Sequence, residues 1–184
     1  YTVLDENSVS LTSVIDKSIS GDQIIPEEVN GKKVVKIGTR AFYNCQHMTS
    51  VQIPDTVKTI EGYAFGSCYK LTKIEIPDSV TTLGIRAFSG CSDATELKIS
   101  KSLTSIPNYA FSTCTSLKQV EIPDNISTLG IFAFIDCESL EEVTIPKSIT
   151  NPYLAGQFKG CKSLKTIKGY KGSAARTFSR IAVN

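Results

Sequence analysis

The stretch LTKIEIPDSVTTLGIRAFSGCSD, residues 71–93, contains a complete unit of a pattern that recurs along this chain of 184 residues. Its Phe88 and Cys91 are separated by two residues, and the same pair returns every 23 residues, with a final interval of 24. The pairs are Phe42 with Cys45, Phe65 with Cys68, Phe88 with Cys91, Phe111 with Cys114, Phe134 with Cys137 and Phe158 with Cys161. A fixed period in the twenties indicates one structural unit that stacks on copies of itself.

The first part of the unit alternates in the way that a β-strand does. Ile74 and Ile76 are separated and preceded by charged residues, so a strand here points its isoleucines inward. Pro77 has no N–H to donate to a neighbouring strand and therefore ends the strand. A second short extended segment, from Val80 to Leu83, follows the turn.

The Ala-Phe-x-x-Cys segment is too short for a stable helix, and we expect a single helical or 3₁₀ turn. Such a turn places Phe88 and Cys91 on the same side, facing the interior. Stacked in register, the units form a parallel sheet and continuous internal columns of phenylalanine and cysteine. The large phenylalanines hold their side of the stack open, which predicts a curved stack with the strands on its inner face. The predicted fold class is a mostly β repeat solenoid of the α/β type.

The cysteines allow three interpretations. Their equivalent positions favour small buried hydrophobic side chains, and disulfide bridges between neighbouring coils are the alternative. A zinc site is disfavoured because the chain has no Cys-x-x-Cys pair and His47 is its only histidine.

The Ala-Phe and Ile-Pro dipeptides, in phase with the cysteines from about residue 24 to residue 168, resemble the 23-residue leucine-rich repeats of the bacterial BspA-like family. The resemblance implies a right-handed solenoid with a parallel sheet on the concave face. It also implies an extracellular or cell-surface protein that binds host matrix proteins or other cells. Many leucine-rich repeats have asparagine just after the strand, whereas this chain has Thr56, Ser79, Ser102, Asn125 and Ser148. These side chains can all bond nearby backbone, so we expect them to hold the turn.

The ends of the chain lack the repeat pattern, and we expect them to cover the open ends of the core. We predict a single domain over 1–184, with an N-terminal β cap (1–33), six repeats (34–168) and a C-terminal helical cap (169–184). Short strands are expected at 9–11, 14–15 and 24–26, followed by a turn at Asn30 and Gly31. Ser173 can cap a helix in which Ala174, Phe178 and Ile181 share one face.

Composition excludes several classes of function. The 20 basic and 18 acidic residues give a net charge of +2, without the basic stripe that nucleic acid binding requires. No apolar run reaches the roughly 20 residues of a membrane-spanning helix, so we expect no insertion by this segment. No phosphate-binding loop, nucleophile motif or histidine metal pair is present, so we expect no cofactor and no metal.

The position before each Ala-Phe dipeptide forms a first candidate surface. Arginine alternates there with aromatic residues, and adjacent members can stack as cation–π pairs. This column is either a stabilising ladder or a recognition stripe, because Arg and Tyr are enriched in interface hot spots. Exposed isoleucines beside it would favour a binding flank near the fifth unit. The flank comprises Arg40, Tyr63, Arg86, Tyr109, Ile131 and Phe132.

The outward positions of the strands form a second candidate surface, on the concave sheet face. They are polar, mixed in sign and without aromatic rings, which makes this face the weaker candidate. The residues are Lys73, Glu75, Glu96, Lys98, Gln119 and Glu121. Two carboxylates of this face could in principle serve as the acid and base of a hydrolase, but solvated strand charges are the simpler interpretation.

Three functions follow from these observations. The first is a non-enzymatic binding module whose partner is a host or bacterial surface protein, with a weak homodimer as an alternative partner. The second is a passive spacer that presents another domain. The third, and least favoured, is a carboxylate-based hydrolase.

Overall fold

Strands linked by turns make up the described part of the chain, which in this computed structural model covers residues 1–13, 16–150 and 156–169. These residues contain no helix, and therefore none that could cross a membrane. The strands are β1 (Thr2–Val3), β2 (Ser8–Leu11), β3 (Ser20–Ile24), β4 (Glu28–Val29), β5 (Lys32–Ile37), β6 (His47–Gln52), β7 (Thr59–Ile60), β8 (Lys73–Glu75), β9 (Thr82–Leu83), β10 (Glu96–Lys98), β11 (Ser105–Ile106), β12 (Gln119–Glu121), β13 (Thr128–Leu129), β14 (Glu142–Ile145) and β15 (Thr166–Gly169).

Two rows of parallel strands run along the stack. The first row contains the pairs β3–β6 and β8–β10 and the triplet β12–β14–β15. The second row contains β2–β5–β7–β9 and β11–β13. Within the repeats, paired residues such as Ile74 and Leu97 lie one repeat apart in sequence. The chain is thus a mostly β, right-handed solenoid of about 6 turns.

The phenylalanines of successive repeats stack along the interior. All six are buried, and their ring centroids are 5.0–6.0 Å apart with interplanar angles of 9–18°. Stacked aromatic pairs contribute about 0.5–1.5 kcal/mol beyond the burial of their area. The ring spacing exceeds the roughly 4.8 Å between neighbouring strands. A stack that is wider at its rings than at its strands curves toward the strands, as predicted for strands on the inner face.

All six cysteines are buried and free of disulfides, and five of their thiols donate a hydrogen bond to a neighbouring coil. The Cys68 thiol donates to the carbonyl oxygen of Phe42, one coil earlier, at 3.2 Å, and four further thiols repeat this bond at 3.2–3.5 Å. The Phe42 carbonyl also accepts the N–H of Cys45 within its own coil. A carbonyl oxygen has two lone pairs, so the thiol satisfies the one that the turn leaves unused.

The prediction of a helical or 3₁₀ turn at the Ala-Phe-x-x-Cys segment is wrong. In the first repeat the segment consists of successive β-turns, closed by N–H···O bonds from residue 41 to 38, from 43 to 40 and from 45 to 42. The intervening N–H groups of Arg40, Phe42 and Asn44 donate instead to carbonyls of the next coil, at 2.7–3.0 Å. A helix would use these donors within the coil and would leave the neighbouring coil unbonded on this side.

The N-terminal residues form a winding of their own. β2 lies on the second row beside β5, β3 lies on the first row beside β6, and β1 pairs antiparallel with β2. β4 and β5 form a hairpin whose two-residue loop, Asn30 and Gly31, has φ values of 51° and 73°. These values fit a type I′ turn, for which Asn-Gly is the favoured sequence. The predicted strand at 14–15 and the predicted C-terminal helix lie outside the described residues.

The position after each strand holds the turn by bonds between coils. Ser79 donates to the Val57 carbonyl at 2.8 Å, and Asn125 and Ser148 make the equivalent bonds to Leu103 and Ile126. The fourth unit differs from the prediction. There Ser100, which replaces the usual proline, donates to Val80 at 2.7 Å, and Ser102 instead donates its N–H to the Ser100 hydroxyl. The Thr56 hydroxyl has no partner among the described residues.

Burial of the thiols makes stability depend on pH. Burial raises the pKa values of Cys68 and Cys114 to about 12, whereas an unfolded thiol has a pKa of about 8.5. Below pH 8.5 the thiols are protonated in both the folded and the unfolded state, and their burial contributes fully to the free energy of unfolding. Above it the unfolded state loses protons first, so the free energy of unfolding falls until the folded thiols also ionise.

We therefore expect the stability advantage of the wild type over a Cys68→Ala plus Cys114→Ala variant to shrink between pH 8 and pH 10.5. The loss is at most about 1.4 kcal/mol per thiol per pH unit. Urea unfolding of both proteins under reducing conditions measures the difference. A difference that stays constant or grows over this range contradicts the burial of neutral thiols.

Candidate functional site

The predicted flank residues before Ala-Phe occupy the third position of a β-turn. Arg40, Tyr63, Arg86, Tyr109 and Phe132, here called the flank column, all have φ values between 55° and 58°. The turn around Arg86 is closed by the Ala87 N–H donating to the Gly84 carbonyl at 3.2 Å. This conformation suits glycine, and it costs other residues roughly 1–2 kcal/mol each.

A second left-handed position follows four residues later, and its composition is different. It holds Asn44, Ser67, Gly90, Thr113, Asp136 and Gly160. Asparagine, aspartate and glycine are the residues most often found in this conformation, and all six are small or medium in size. The flank column has the same backbone strain but carries only large side chains. Backbone geometry therefore does not explain the choice of residues in the flank column.

The flank column is a continuous stack of cations and rings. The Arg86 guanidinium carbon lies 5.6 Å from the Tyr63 ring centroid and 4.3 Å from that of Tyr109. Arg86 Nη1 also donates to the Tyr63 hydroxyl at 2.7 Å, and this bond raises the pKa of the guanidinium. Arg40 lies 5.2 Å from the Tyr63 ring, and Tyr109 and Phe132 are 5.3 Å apart. Each cation–π contact contributes about 0.5–1 kcal/mol and the aromatic pair about 0.5–1.5 kcal/mol, which offsets part of the backbone strain.

Exposed isoleucines lie beside the flank column. Ile85 and Ile131 precede Arg86 and Phe132 and are 53% and 57% exposed. The Asn108 side chain accepts the N–H of Ile131 at 2.8 Å and thereby fixes the turn that presents this residue. The structure thus places exposed apolar side chains next to stacked cations and rings.

The sheet face that the sequence predicts to be concave is a polar surface with ion pairs. The six residues of this face that the sequence identified are exposed, apart from the half-exposed Glu75. Glu75 accepts from Lys73 at 2.9 Å and from Lys98 at 2.8 Å, and bonds to these two lysines lower its pKa. A shallow groove of about 570 Å³ follows Glu96, Gln119 and Glu121 along this face.

Nothing in the described residues points to catalysis. A general acid needs a carboxyl group with a raised pKa, whereas the lysines lower that of Glu75. His47 is exposed at the start of β6. Within the ranges that the structure describes, no group of His, Cys, Asp or Glu side chains is arranged to hold a metal ion.

Sequence reasoning missed two features of the flank. It did not predict the left-handed backbone, because Arg, Tyr and Phe give no signal for that conformation. It also missed Tyr43, whose ring lies 6.0 Å from that of Tyr63 and 5.6 Å from Arg40. The sequence gives no signal for this contact, which the structure shows also at Gly66, where an added Cβ would come within 3.1 Å of the Tyr43 ring.

Parallel strands at a 23-residue period, with stacked turns opposite them, define a leucine-rich repeat solenoid. The chain belongs to the BspA type leucine-rich repeat family, whose repeat region matches residues 35–165 in 6 copies. Members of this family are generally non-enzymatic, and leucine-rich repeat domains generally mediate protein interactions.

Solved structures of bacterial leucine-rich repeat proteins share this fold. A T. pallidum protein is 32% identical, with a TM-score of 0.85 over 94% of this chain and 80% of its own. A leucine-rich cell surface protein of Faecalibacterium prausnitzii is 23% identical, with a TM-score of 0.66 over 97% of this chain and 63% of its own. The pneumococcal vaccine antigen PcpA is 16% identical, with a TM-score of 0.53 over 90% of this chain and 49% of its own. None of the curated proteins matches the chain.

The left-handed backbone of the flank column predicts an inverted preference between glycine and alanine. Tyr63 has a φ of 55°, a conformation that glycine adopts more easily than alanine. We therefore expect the free energy of unfolding of Tyr63→Gly to exceed that of Tyr63→Ala by about 1 kcal/mol. Both variants lose the same stack, so the comparison isolates the backbone. Chemical denaturation gives the two free energies of unfolding.

The matched control is Gln119, an exposed residue within β12. There the alanine variant should be the more stable one, because glycine loses more conformational freedom than alanine when it is fixed in a strand. The same order of stability at both positions would contradict the left-handed assignment.

Proposed function

We propose that the chain is a non-enzymatic binding module, secreted or displayed at the cell surface, that contacts a protein partner through the flank column with Ile85 and Ile131. The observation that carries this proposal is the pair of left-handed positions, four residues apart, in each of the first five repeats. One holds small or turn-forming residues, and the other holds Arg, Tyr and Phe at the same strain. Non-glycine residues that are held in the left-handed backbone conformation cluster at functional sites.

The chemistry of the flank supports a protein partner. Tyr and Arg dominate interface hot spots, because each combines a large contact area with directional hydrogen bonds. Stacking holds these side chains in one arrangement before binding, which lowers the entropy lost on association. Ile85 and Ile131 add apolar area that a partner would remove from water.

The family supports the location and the kind of partner. One relative of known structure is described as a cell surface protein and another as a vaccine antigen. A surface-displayed domain meets proteins of a host or of other bacteria, and these are the partners we propose. A second copy of the chain is the alternative occupant of the flank.

The double substitution Ile131→Asp plus Phe132→Ser tests the proposal. It places a charge in the apolar part of the flank and removes the last ring of the stack, and we expect it to reduce partner binding at least tenfold. The measurement is surface plasmon resonance against a panel of extracellular matrix and bacterial surface proteins. Sedimentation velocity of both proteins at the same concentrations reports self-association.

The control is Gln119→Asp plus Thr144→Ser, which adds the same negative charge to the concave sheet face. It should leave binding unchanged. Loss of binding in this control, with normal binding by the flank variant, would assign the interaction to the concave face and overturn the proposal.

A further inference from the structure

A groove at the N-terminal end of the strand face differs from the rest of the surface. It encloses about 790 Å³ between β3 and the turns that follow β6 and β8. Ile24, Pro26 and Pro77 contribute apolar surface to it. Ile24 is 75% exposed, the highest value among the large hydrophobic residues that the structure describes. This N-terminal groove therefore offers an apolar contact that no described part of the chain covers.

The N-terminal groove also carries a local excess of negative charge. Its lining contains one cation and four carboxylates: Lys98 with Glu27, Asp55, Glu75 and Asp78. The whole chain has a net charge of +2, and the next groove along the same rim is balanced, with two lysines against two carboxylates. The excess is thus a property of this groove and not of the protein.

Three of the carboxylates are available to a ligand. Glu75 is already bonded to Lys73 and Lys98. Glu27, Asp55 and Asp78 are exposed and, among the described residues, form no ion pair. Asp78 Oδ1 accepts the Lys101 N–H at 2.8 Å, and within the described ranges its other oxygen has no hydrogen bond of its own and can face a ligand. They follow Pro26, Pro54 and Pro77 in equivalent turns, so the stack places them as a row across neighbouring coils. At about 4.8 Å per coil the outer two members of the row are about 9.6 Å apart. Alternate side chains of an extended segment are about 6.8 Å apart, so the long side chains of two Arg or Lys residues can reach different carboxylates of the row.

The groove accepts side chains more readily than an added strand. β3 is an edge strand that pairs only with β6 within the described ranges. The left-handed Gly21 distorts this edge, and the Gln23 side chain donates to the Ser20 carbonyl at 2.9 Å. An edge strand blunted in this way does not pair readily with another strand. A ligand must therefore bind through Ile24 and the carboxylates.

We propose that the N-terminal groove binds a short basic segment of another protein, with two or more Arg or Lys side chains on the acidic row and an apolar side chain against Ile24. Charge complementarity selects this partner over an acidic or neutral one. This interaction is separate from the flank column, which lies on the turns before the Ala-Phe dipeptides, whereas the acidic row lies on the turns after the strands. It does not depend on the function proposed for the flank column.

The experiment uses a fluorescein-labelled peptide of alternating Arg and Leu, flanked by glycines, and follows its anisotropy as the chain is added. We expect saturable binding that weakens with added NaCl. Asp55→Asn plus Asp78→Asn should weaken it about tenfold, and Ile24→Ser about fivefold. All three residues are exposed, so the variants should fold, which circular dichroism and thermal melting check.

Two controls locate the site. Glu96→Gln plus Glu121→Gln removes the same charge from the adjacent part of the strand face and should change the affinity less than about twofold. The flank variant Ile131→Asp plus Phe132→Ser should bind the peptide normally, so failure of either proposal is distinguishable from failure of the other.

Four outcomes would overturn the proposal. They are the absence of saturable binding, equal binding of a Glu-for-Arg peptide, equal binding of spermine, and equal weakening by the Glu96 and Glu121 control. Sedimentation of the chain alone is the last check. A dimer that Asp55→Asn plus Asp78→Asn dissociates would identify a second copy as the occupant and would overturn the assignment to another protein.

Discussion

Each coil of this protein is bonded to the next along its turns, and the register of that contact determines the rest of the structure. Alternate N–H groups of the turn cross to the next coil, as from Phe65 to Ala87 at 2.8 Å. The left-handed residues make this crossing possible, because they orient alternate N–H groups toward the next coil. In a helix these N–H groups would bond to carbonyls of their own coil. The phenylalanine stack and the thiol bonds then fill the space that this spacing leaves. Slippage by one residue would break all three contacts together.

The same register explains why a surface can form from the turns. Residues at one position of each coil come within stacking distance of one another, so a repeated Arg or Tyr becomes a continuous column. The side chains of the column are ordered by stacking, while the backbone of the same residues stays in the strained left-handed conformation. The N-terminal groove arises in the same way, because equivalent turns bring Asp55 and Asp78 together. Register thus produces two surfaces of different chemistry on one scaffold.

The sequence predicted what the repeat period controls. The strands of the repeats, the interior positions of Ile74 and Phe88 and the turn at Asn30 could be read from the pattern, because burial and turn chemistry leave a signature at each position. The strand expected at 24–26 instead ends at Ile24, because this part of the chain lacks the repeat pattern. The β-turns could not, because Tyr63 and Phe132 oppose the backbone they adopt. The thiol bonds of residues such as Cys68 join different coils and leave no local signal. The acidic row of the N-terminal groove could not be predicted either. The β4–β5 hairpin lengthens the interval from Pro26 to Pro54 to 28 residues, so Glu27 falls outside the 23-residue period.

Thiol labelling tests the central claim of a continuous buried column most directly. Iodoacetamide is added to the native chain near pH 8 and, in parallel, to the chain in concentrated guanidinium, and mass spectrometry counts the modified cysteines. The structure predicts no labelling of the native protein within the time that labels all 6 thiols of the unfolded one. Rapid labelling of several native cysteines, or a mass deficit from disulfides in the unfolded sample, would contradict it.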